Sequence, residues 1–363
     1  MSHNPKEAEK EMEKAIFISA DCWLGVFDLL SPSQLGLGIA MISARFDYFV
    51  DEHFKTRKWK LKPIVIRHKI GENGAKEMEI RNPNGKLPMP QNPLPNKVIG
   101  FRGISIVFID QNVITFLGHF HRFFATCATK LTIATENVRN AKLVVLNIWA
   151  LFKNTIRVMT LNPIVFRQMR QLAPSMLNDF PCLRVVTFYG PIYIEFPPDD
   201  DSANASDGQA VTKWLFTPRH DNLTKELTIY SAYSPMEQQW LAAVDQIKAA
   251  FSNASSPVAF HIAVYFPSSS SLLSSVVPFE LTNELTEEKL ALAKEHAEEE
   301  FGDEDLSGFC LIRCPIVPPD DKRQQQQMIN AFDKQLNRID IWIEDDRFGD
   351  GLLDGSPGPS GDQ

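Results

Sequence analysis

The cysteine and histidine pairs are the residues whose type and spacing best suit metal chemistry. Cys310 and Cys314 lie four positions apart, and His119 and His121 lie two apart. A structural zinc site needs four ligands, and no second Cys or His pair stands at a usable spacing from Cys310 and Cys314. On a helix, residues two positions apart point about 200° apart, so His119 and His121 would not share a metal. We therefore predict no metal site.

Phosphate-binding and nucleophilic patterns are also missing from the sequence. Gly36 and Gly38 lie among apolar, helix-like residues, without the preceding strand and the following Lys-Ser or Lys-Thr of a phosphate loop. No serine lies on the sharp elbow that marks a hydrolase nucleophile. The acidic residues 284–305 are explained by a helix face in water. These observations predict a chain that needs no cofactor and is not an enzyme.

Composition and charge narrow the class of partner. The chain has 363 residues, 44% of them hydrophobic, and a net charge of −8. These proportions are typical of a globular protein, and an acidic chain is a poor general binder of nucleic acid. The basic residues 55–69 alternate with apolar ones, as on a half-exposed element. We expect no nucleic-acid partner.

The sequence shows no secretory or membrane-spanning signal, which predicts an intracellular compartment. The first 14 residues, MSHNPKEAEKEMEK, are charged throughout, whereas a secretory signal needs an apolar core. No window approaches the roughly 18 apolar residues of a membrane span. The five cysteines are odd in number and scattered along the chain, unlike a disulfide framework, so we predict reduced thiols. We expect a cytoplasmic or nuclear protein without a membrane partner.

Apolar periodicity divides the chain into a small helical part and a larger α/β part. The predicted divisions are a flexible tail at 1–14, a helical domain at 15–61, a Pro/Gly-rich linker with at most a hairpin at 62–98, an α/β domain at 99–346 and a disordered tail at 347–363. The fold class is thus α+β overall.

The α/β part shows a weak repeat. Short strands predicted at 131–133, 156–158 and 183–185 begin 25 and 27 residues apart, and helices at 113–126 and 165–177 precede two of them. This spacing is typical of a leucine-rich-repeat-like solenoid or another array of strands and helices. Further strands are predicted at 104–109, 214–216, 227–230, 260–266, 309–314 and 338–343, helices at 236–251, 286–301 and 325–336, and an exposed acidic loop at 199–209.

The helical part is dense in large apolar residues. Ser19 and Asp21 suit the start of a first helix, and Ser31-Pro32-Ser33-Gln34 is a capping box that starts a second. Apolar residues from Phe46 to Phe54 mark a third helix. Three short helices cannot bury this much aromatic surface among themselves. Either the rest of the chain or another protein must cover it.

Residues 18–46 resemble an F-box. That pattern has a Leu-Pro start, an acidic residue, an Ile-Phe pair, a Leu-Ser-Pro-x-Asp-Leu corner and a closing Val-Cys-basic-x-aromatic stretch. The matching residues here are Ile18-Ser19, Asp21, Val26-Phe27, Leu30-Ser31-Pro32, Gln34-Leu35 and Ile42 to Phe46.

The rest of the chain is similar to F-box-like proteins of a family expanded in plant-parasitic nematodes. The similarity lies in the Pro-rich residues 87–95, the stretch from Lys97 to Phe101, Arg313-Cys314-Pro315-Ile316 and Asn337-Arg338-Ile339.

The resemblance implies a protein-interaction role in protein ubiquitination. An F-box protein is the substrate receptor of an SCF (cullin–RING) ubiquitin ligase complex: its F-box binds a Skp-type adaptor, which joins a cullin, and its second domain holds the protein substrate. By matching position, the residues implied to face or shape the adaptor groove are Ile18, Phe27, Leu30, Pro32, Leu35 and Ile42. Each would otherwise be ordinary core packing of the helical domain.

Two alternatives remain open from the sequence. An F-box-fold interaction module no longer linked to a ligase is one, because Ile18-Ser19 and Gln34 replace the Leu-Pro start and the acidic corner residue. An α/β enzyme with an unrecognised site is the other. A cluster of strongly perturbed titrating groups in one pocket would favour the enzyme.

Overall fold

The structure, a computed structural model, describes most of the α/β part and much of the helical part. The described residues are 18–30, 35, 39–56, 59–70, 76–82, 85–87, 98–118, 129–134, 144, 148, 150–219, 221, 223–231, 236–270, 272–296, 306–316 and 337–342. The predicted tails, the predicted helix at 325–336 and Pro32 lie outside them. The chain forms two compact units, Met1–Lys60 with Pro95–Ile99 and Leu61–Leu94 with Gly100–Gln363.

The first unit is helical. Helix α1 spans Ala20–Phe27, a 3₁₀ turn spans Ala40–Ile42, and helix α2 spans Ala44–Thr56. The Ser19 hydroxyl accepts a hydrogen bond from the Cys22 N–H and so caps α1 at the predicted position. The second predicted helix falls mostly outside the described residues.

The second unit is built on one large mixed sheet. Its strand order is β12-β13-β14-β11-β10-β9-β8-β7-β15-β6-β2-β3-β4. The chain also has a separate two-stranded sheet, in which β1 pairs with β5. The eight strands from β2 to β11 in this order run parallel, whereas β3, β4, β12, β13 and β14 run antiparallel at the two ends. The strands are β1 Trp59–Leu61, β2 Ile64–Ile70, β3 Lys76–Asn82, β4 Gly85–Leu87, β5 Val98–Phe101, β6 Ile104–Ile106, β7 Thr129–Ala134, β8 Ile156–Leu161, β9 Val185–Tyr189, β10 Lys225–Tyr230, β11 Phe260–Pro267, β12 Phe279–Asn283, β13 Glu288–His296, β14 Leu306–Pro315 and β15 Asn337–Trp342.

Helices connect successive parallel strands. They are α3 Gln111–Gly118, α4 Ala150–Phe152, α5 Pro163–Leu172, α6 Met176–Asp179, α7 Asp207–Phe216 and α8 Met236–Ser252. A further helix, α9 Leu272–Ser275, lies between β11 and the antiparallel strand β12. Asn162 and Ser206 cap α5 and α7, and Gln209 completes a capping box at the start of α7. The structure therefore confirms a mixed α/β architecture with a large sheet.

The core lies on one face of this sheet. Along β11, every second side chain from Phe260 to Phe266 is fully buried, as expected for a strand with one face in the core. Helices α5 and α7 reach this face through aromatic contacts: the ring centroids of Phe166 and Phe188 lie 5.2 Å apart, and those of Phe216 and Phe260 lie 5.1 Å apart. The opposite face carries a different set of side chains.

The linker interpretation of residues 62–98 is corrected by the structure. Three strands of the large sheet, β2, β3 and β4, lie within that range. The sequence there is rich in turn residues, but Ile64, Ile66 and Ile80 are buried on the core face. Burial of alternate isoleucines stabilises a strand pair even when its turns are rich in glycine and proline.

Two further elements also differ from prediction. The helix predicted at 286–301 is strand β13 over its described residues, because Glu288, Leu290 and Leu292 are buried at every second position. The strand predicted at 214–216 is the end of helix α7. The capping box at Ser206 starts this helix inside the segment 199–209, which was predicted to be an exposed loop.

The acidic segment 199–209 is fixed by hydrogen bonds and ion pairs. The buried guanidinium of Arg170 donates to the carbonyls of Ser202 and Ala205 and to the Asp207 carboxylate. Asp201 accepts hydrogen bonds from Lys213 Nζ at 2.7 Å and from Asn178 Nδ2 at 2.9 Å. The segment thus packs on helices α5 to α7.

The cysteines and the helices bear on the predicted compartment. Cys22, Cys310 and Cys314 form no disulfide, but Cys182 is disulfide-bonded, so the prediction of reduced thiols is wrong at this position. In the part of the chain that the structure describes, no helix combines the length and apolar character needed to cross a membrane.

Candidate functional site

The helical unit is organised around a small apolar cluster. Phe27, Leu35 and Val50 are fully buried at its centre. Trp23 and Phe46 pack against this cluster and meet edge to face, with ring centroids 4.8 Å apart and an interplanar angle of 86°. Two of the six expected adaptor-binding residues, Phe27 and Leu35, therefore support the unit from inside.

The other expected adaptor-binding residues differ in exposure. Ile18 and Ile42 are exposed, at 39% and 62% of their full surface. Leu30 is half-buried and packs against the central cluster. Pro32 lies outside the described residues. Among the expected residues that the structure describes, Ile18 and Ile42 are therefore the two with substantial exposed apolar surface.

Three apolar residues outside the predicted set are also exposed in this unit. Leu29 is 85% exposed, Tyr48 60% and Val26 45%. With Ile18 and Ile42, these side chains place apolar surface on the outside of the unit. The signal in the sequence was the apolar stripe of α1, which is wider than one buried face requires.

Polar contacts hold the two helices of this unit together. Arg45 Nη2 donates to the carbonyl of Ile18 at 3.2 Å, and its guanidinium lies 5.2 Å from the centroid of the Phe49 ring. His53 is buried against Phe27, with ring centroids 5.7 Å apart, and its Nε2 lies 4.0 Å from Asp28 Oδ1. These contacts fix the start of α1 against α2.

The second candidate surface is the face of the large sheet opposite the apolar core. Thr132, Thr160, Thr187 and Thr228 are in register on four neighbouring parallel strands. Threonine suits a half-buried strand position and leaves a hydroxyl available for hydrogen bonds. The face therefore carries a polar row where a two-sided core would carry aliphatic side chains.

A ladder of tyrosines lies beside the threonine row. The rings of Tyr189 and Tyr230 stack with centroids 5.2 Å apart, and those of Tyr230 and Tyr265 stack at 5.1 Å. Their registers match across β9, β10 and β11. Stacked tyrosines combine a broad apolar surface with polar tips and suit the binding of another protein.

Three potential metal ligands cluster at one end of this face, where the sheet changes from parallel to antiparallel strands. His261 on β11, Cys310 on β14 and Glu295 on β13 have their ligand atoms within 4.8 Å of one another. His261 Nε2 lies 2.8 Å from Cys310 Sγ. Cys310 is in register with Ala263 and Ala293, so small neighbours leave space above its sulfur.

Burial and charge determine the proton state of this cluster. Burial, together with the negative charge of Glu295, raises the pKa of the Cys310 thiol to about 12. Burial likewise raises the pKa of Tyr265, whose hydroxyl hydrogen-bonds to Glu295. A thiol that stays protonated is a poor nucleophile. The arrangement therefore does not favour cysteine-based covalent catalysis.

No family model, no curated protein and no solved structure matches the chain.

Sequence reasoning missed the His261–Glu295–Cys310 cluster. Cys310 was considered only together with Cys314, its neighbour on the same strand, and Glu295 was assigned to a helix. The alternation of buried and exposed residues from Glu288 to Leu292 was the available signal that places Glu295 on a strand.

Proposed function

We propose that this protein is the substrate-recognition subunit of a cullin–RING, SCF-type ubiquitin ligase. The helical unit binds a Skp-type adaptor, which joins the cullin, and the sheet unit holds a protein substrate. Ubiquitin transfer takes place on other subunits, so no catalytic step is assigned to this chain.

The exposed apolar surface of the helical unit is the observation that carries the proposal. Ile18 and Ile42 match F-box positions and are exposed, and Phe27 and Leu35 belong to the buried cluster of the same unit. A protein interface commonly depends on a few apolar anchors held in place by a packed support. An adaptor groove would cover these side chains.

The polar face of the sheet unit supports the role of substrate receptor. In the threonine and tyrosine rows on the face opposite the core, Thr187, Tyr189, Thr228 and Tyr230 are at least partly exposed and offer surface to a substrate. The buried members of these rows are Thr132, Thr160 and Tyr265. Solenoid-like α/β proteins use such a face for binding. Strands β7 to β11 follow one another in chain order, as in such an array, but β15 lies between β6 and β7. The leucine-rich-repeat-like solenoid therefore stays a prediction.

The test is binding of the full chain to a purified Skp-type adaptor. Ile42→Asp places a charge on an exposed, sequence-matched position and should leave the buried cluster intact. Loss of a central anchor typically weakens binding by about 2 kcal/mol, which is roughly 30-fold in Kd. The matched control is Val277→Asp in the sheet unit, since Val277 is 78% exposed, and it should bind as the unmodified chain does.

Two results would overturn the docking scheme. If the folded chain does not bind the adaptor, the alternative applies: an F-box-fold interaction module without a ligase, consistent with Ile18-Ser19 and Gln34 at the departing positions. If Ile42→Asp binds as tightly as the unmodified chain, the adaptor does not dock on this surface. Phe27→Asp is a poor probe, because Phe27 is fully buried and its replacement would unfold the unit.

The proposal places the protein in the cytoplasm or nucleus, where adaptor and cullin act. The disulfide at Cys182 is unusual there, because those compartments keep thiols reduced. The proposed role uses the helical unit and the polar face of the sheet, neither of which includes Cys182.

A further inference from the structure

We propose that His261, Glu295 and Cys310 form a Zn²⁺-binding site on the polar face of the sheet. The ligands are His261 Nε2, a carboxylate oxygen of Glu295 and Cys310 Sγ, with the fourth position open to water. The site is independent of adaptor binding, since all three residues lie in the sheet unit.

The donor set suits zinc. Zinc takes imidazole nitrogen, thiolate sulfur and carboxylate oxygen at roughly 2.0–2.3 Å, and three protein ligands with one open position are typical of sites that bind an exchangeable group. A tetrahedral ion then separates its ligand atoms by about 3.3–3.8 Å. The three ligand atoms here lie within 4.8 Å of one another, and the closest pair, His261 Nε2 and Cys310 Sγ, is 2.8 Å apart.

Only small movements are needed to admit the ion. His261 and Cys310 must separate by about 0.7 Å to reach tetrahedral spacing, which side-chain rotation can supply. Ala263 and Ala293 stand on either side of Cys310 in the register, so no large side chain blocks the space. His261 and Glu295 are partly exposed, which provides a path from solvent.

An unsatisfied oxygen is the independent sign of a missing ligand. Glu295 Oε2 is buried and has no hydrogen-bond partner among the residues that the structure describes. Buried carboxylate oxygens are normally paired, because leaving one without a partner costs the full desolvation of that atom. A divalent cation between Glu295, His261 and Cys310 would remove this cost.

Surrounding residues fix the ligands in place. All three ligands lie on adjacent antiparallel strands, β11, β14 and β13, rather than on loops. The Tyr265 hydroxyl hydrogen-bonds to Glu295, across Gly308, which is in register with both residues. Hydrogen bonds of this kind orient metal ligands and strengthen binding.

Zinc binding would release one proton from this cluster. In the metal-free protein Cys310 is a thiol, and coordination converts it to a thiolate as its proton passes to solvent. His261 binds through the unprotonated Nε2, and its other nitrogen keeps the ring proton. The bound charge of +2 is then balanced by the thiolate and the carboxylate.

The experiment is a titration of the full-length, metal-free chain with Zn²⁺, and with Co²⁺ as a spectroscopic probe. We expect the Cys310→Ser, His261→Ala and Glu295→Gln variants each to bind one Zn²⁺ fewer per chain, or to bind it at least tenfold more weakly, than the unmodified chain. Cys314→Ser is the matched control, because Cys314 is a second cysteine of β14 that forms no disulfide, and its replacement should leave both quantities unchanged.

The Co²⁺ absorption spectrum of the unmodified chain tests the site without depending on whether a variant folds. Co²⁺ should produce a thiolate-to-cobalt charge-transfer band that persists in Cys314→Ser and is absent in Cys310→Ser. No such band, or equal Zn²⁺ uptake by the unmodified chain and a folded Cys310→Ser variant, would overturn the site. Because neither readout involves the adaptor, failure here leaves the ligase proposal untouched.

Discussion

The buried ion pair between Arg313 and Glu288 provides the sharpest test of how the sheet unit is stabilised. Arg313 Nη2 and Nε donate to Glu288 Oε2 at 2.7 and 3.0 Å. Arg313 also donates to the Ser256 carbonyl, and Glu288 Oε1 accepts the Val258 N–H at 2.9 Å. The two side chains are only 2% and 1% exposed. Replacing Arg313 by Met would leave a buried carboxylate without its cation.

The expected loss is large because the remaining charge has no access to water. Removing one partner of a buried ion pair typically costs about 3–5 kcal/mol. With a urea m-value of about 3 kcal/mol/M, the midpoint of unfolding would fall by roughly 1–1.7 M. The guanidinium of Arg313 also lies 5.2 Å from the centroid of the Phe251 ring, so Arg313→Met keeps apolar contact with Phe251 and isolates the electrostatic loss.

Urea unfolding followed by circular dichroism measures this difference. The matched control is Lys289→Met on β13. Lys289 Nζ lies 3.4 Å from Oε2 of Glu280, a side chain that is largely exposed, so losing this ion pair should cost less than about 1 kcal/mol. The double variant Arg313→Met with Glu288→Leu should recover most of the stability, since no charge is then left unpaired. If Arg313→Met costs no more than Lys289→Met, Glu288 is not confined as the structure shows and the reasoning fails.

Three further predictions concern packing, pH and thiol reactivity in the sheet unit. Gly308→Ala should destabilise the sheet unit by several kcal/mol in urea unfolding, because a Cβ there would lie 2.1 Å from the Val264 carbonyl oxygen. Gly118→Ala should be near neutral, because a Cβ at that position would have nothing within 4 Å. Equal effects of the two substitutions would contradict this packing. Burial, with the nearby charge of Arg219, lowers the pKa of Lys225 to about 7. The unfolded chain therefore binds one more proton than the folded chain between pH 7 and 10.5, so the free energy of unfolding should rise with pH across that range. Lys225→Met should remove this slope, and a slope that persists in Lys225→Met would disprove the shift. Iodoacetamide at pH 8 should modify the exposed Cys22 first and Cys310 only after unfolding, because burial raises the pKa of Cys310 to about 12; peptide mass spectrometry that finds both modified together would contradict the buried thiol.

The sequence predicts those elements whose pattern is local. The strand at Phe260–Pro267 and the helix at Met236–Ser252 were predicted almost to their ends, because each has a long apolar pattern with clear flanking signals. Helix α7 was missed because its start, the capping box at Ser206, lies inside an acidic segment rich in small residues. Composition indicated a loop there, but the capping box, the ion pair of Arg170 with Asp207 and the hydrogen bond of Arg170 to the Ser202 carbonyl determined the outcome.

Long-range placement was the part that sequence reasoning could not reach. Strand β15 pairs with β6 and β7, more than 200 residues away in the chain, and nothing in the local pattern of residues 337–342 identifies those neighbours. The same limit applies to the candidate metal site, whose ligands come from three strands. His261 and Cys310 are 49 residues apart, so no spacing rule would have joined them.

The same two strands, β13 and β14, carry polar clusters on opposite faces, and the contrast between them favours a ligand. On the core face, Glu288 and Arg313 satisfy one another, and both oxygens of Glu288 are bonded. On the other face, Glu295 keeps one buried oxygen without a partner beside His261 and Cys310. A cluster that served only stability would close its hydrogen bonds, as the first one does. The second is incomplete within the part of the chain that the structure describes, and its donors are those that zinc prefers. The polar face is therefore where binding is expected, and the core face is where the fold is maintained.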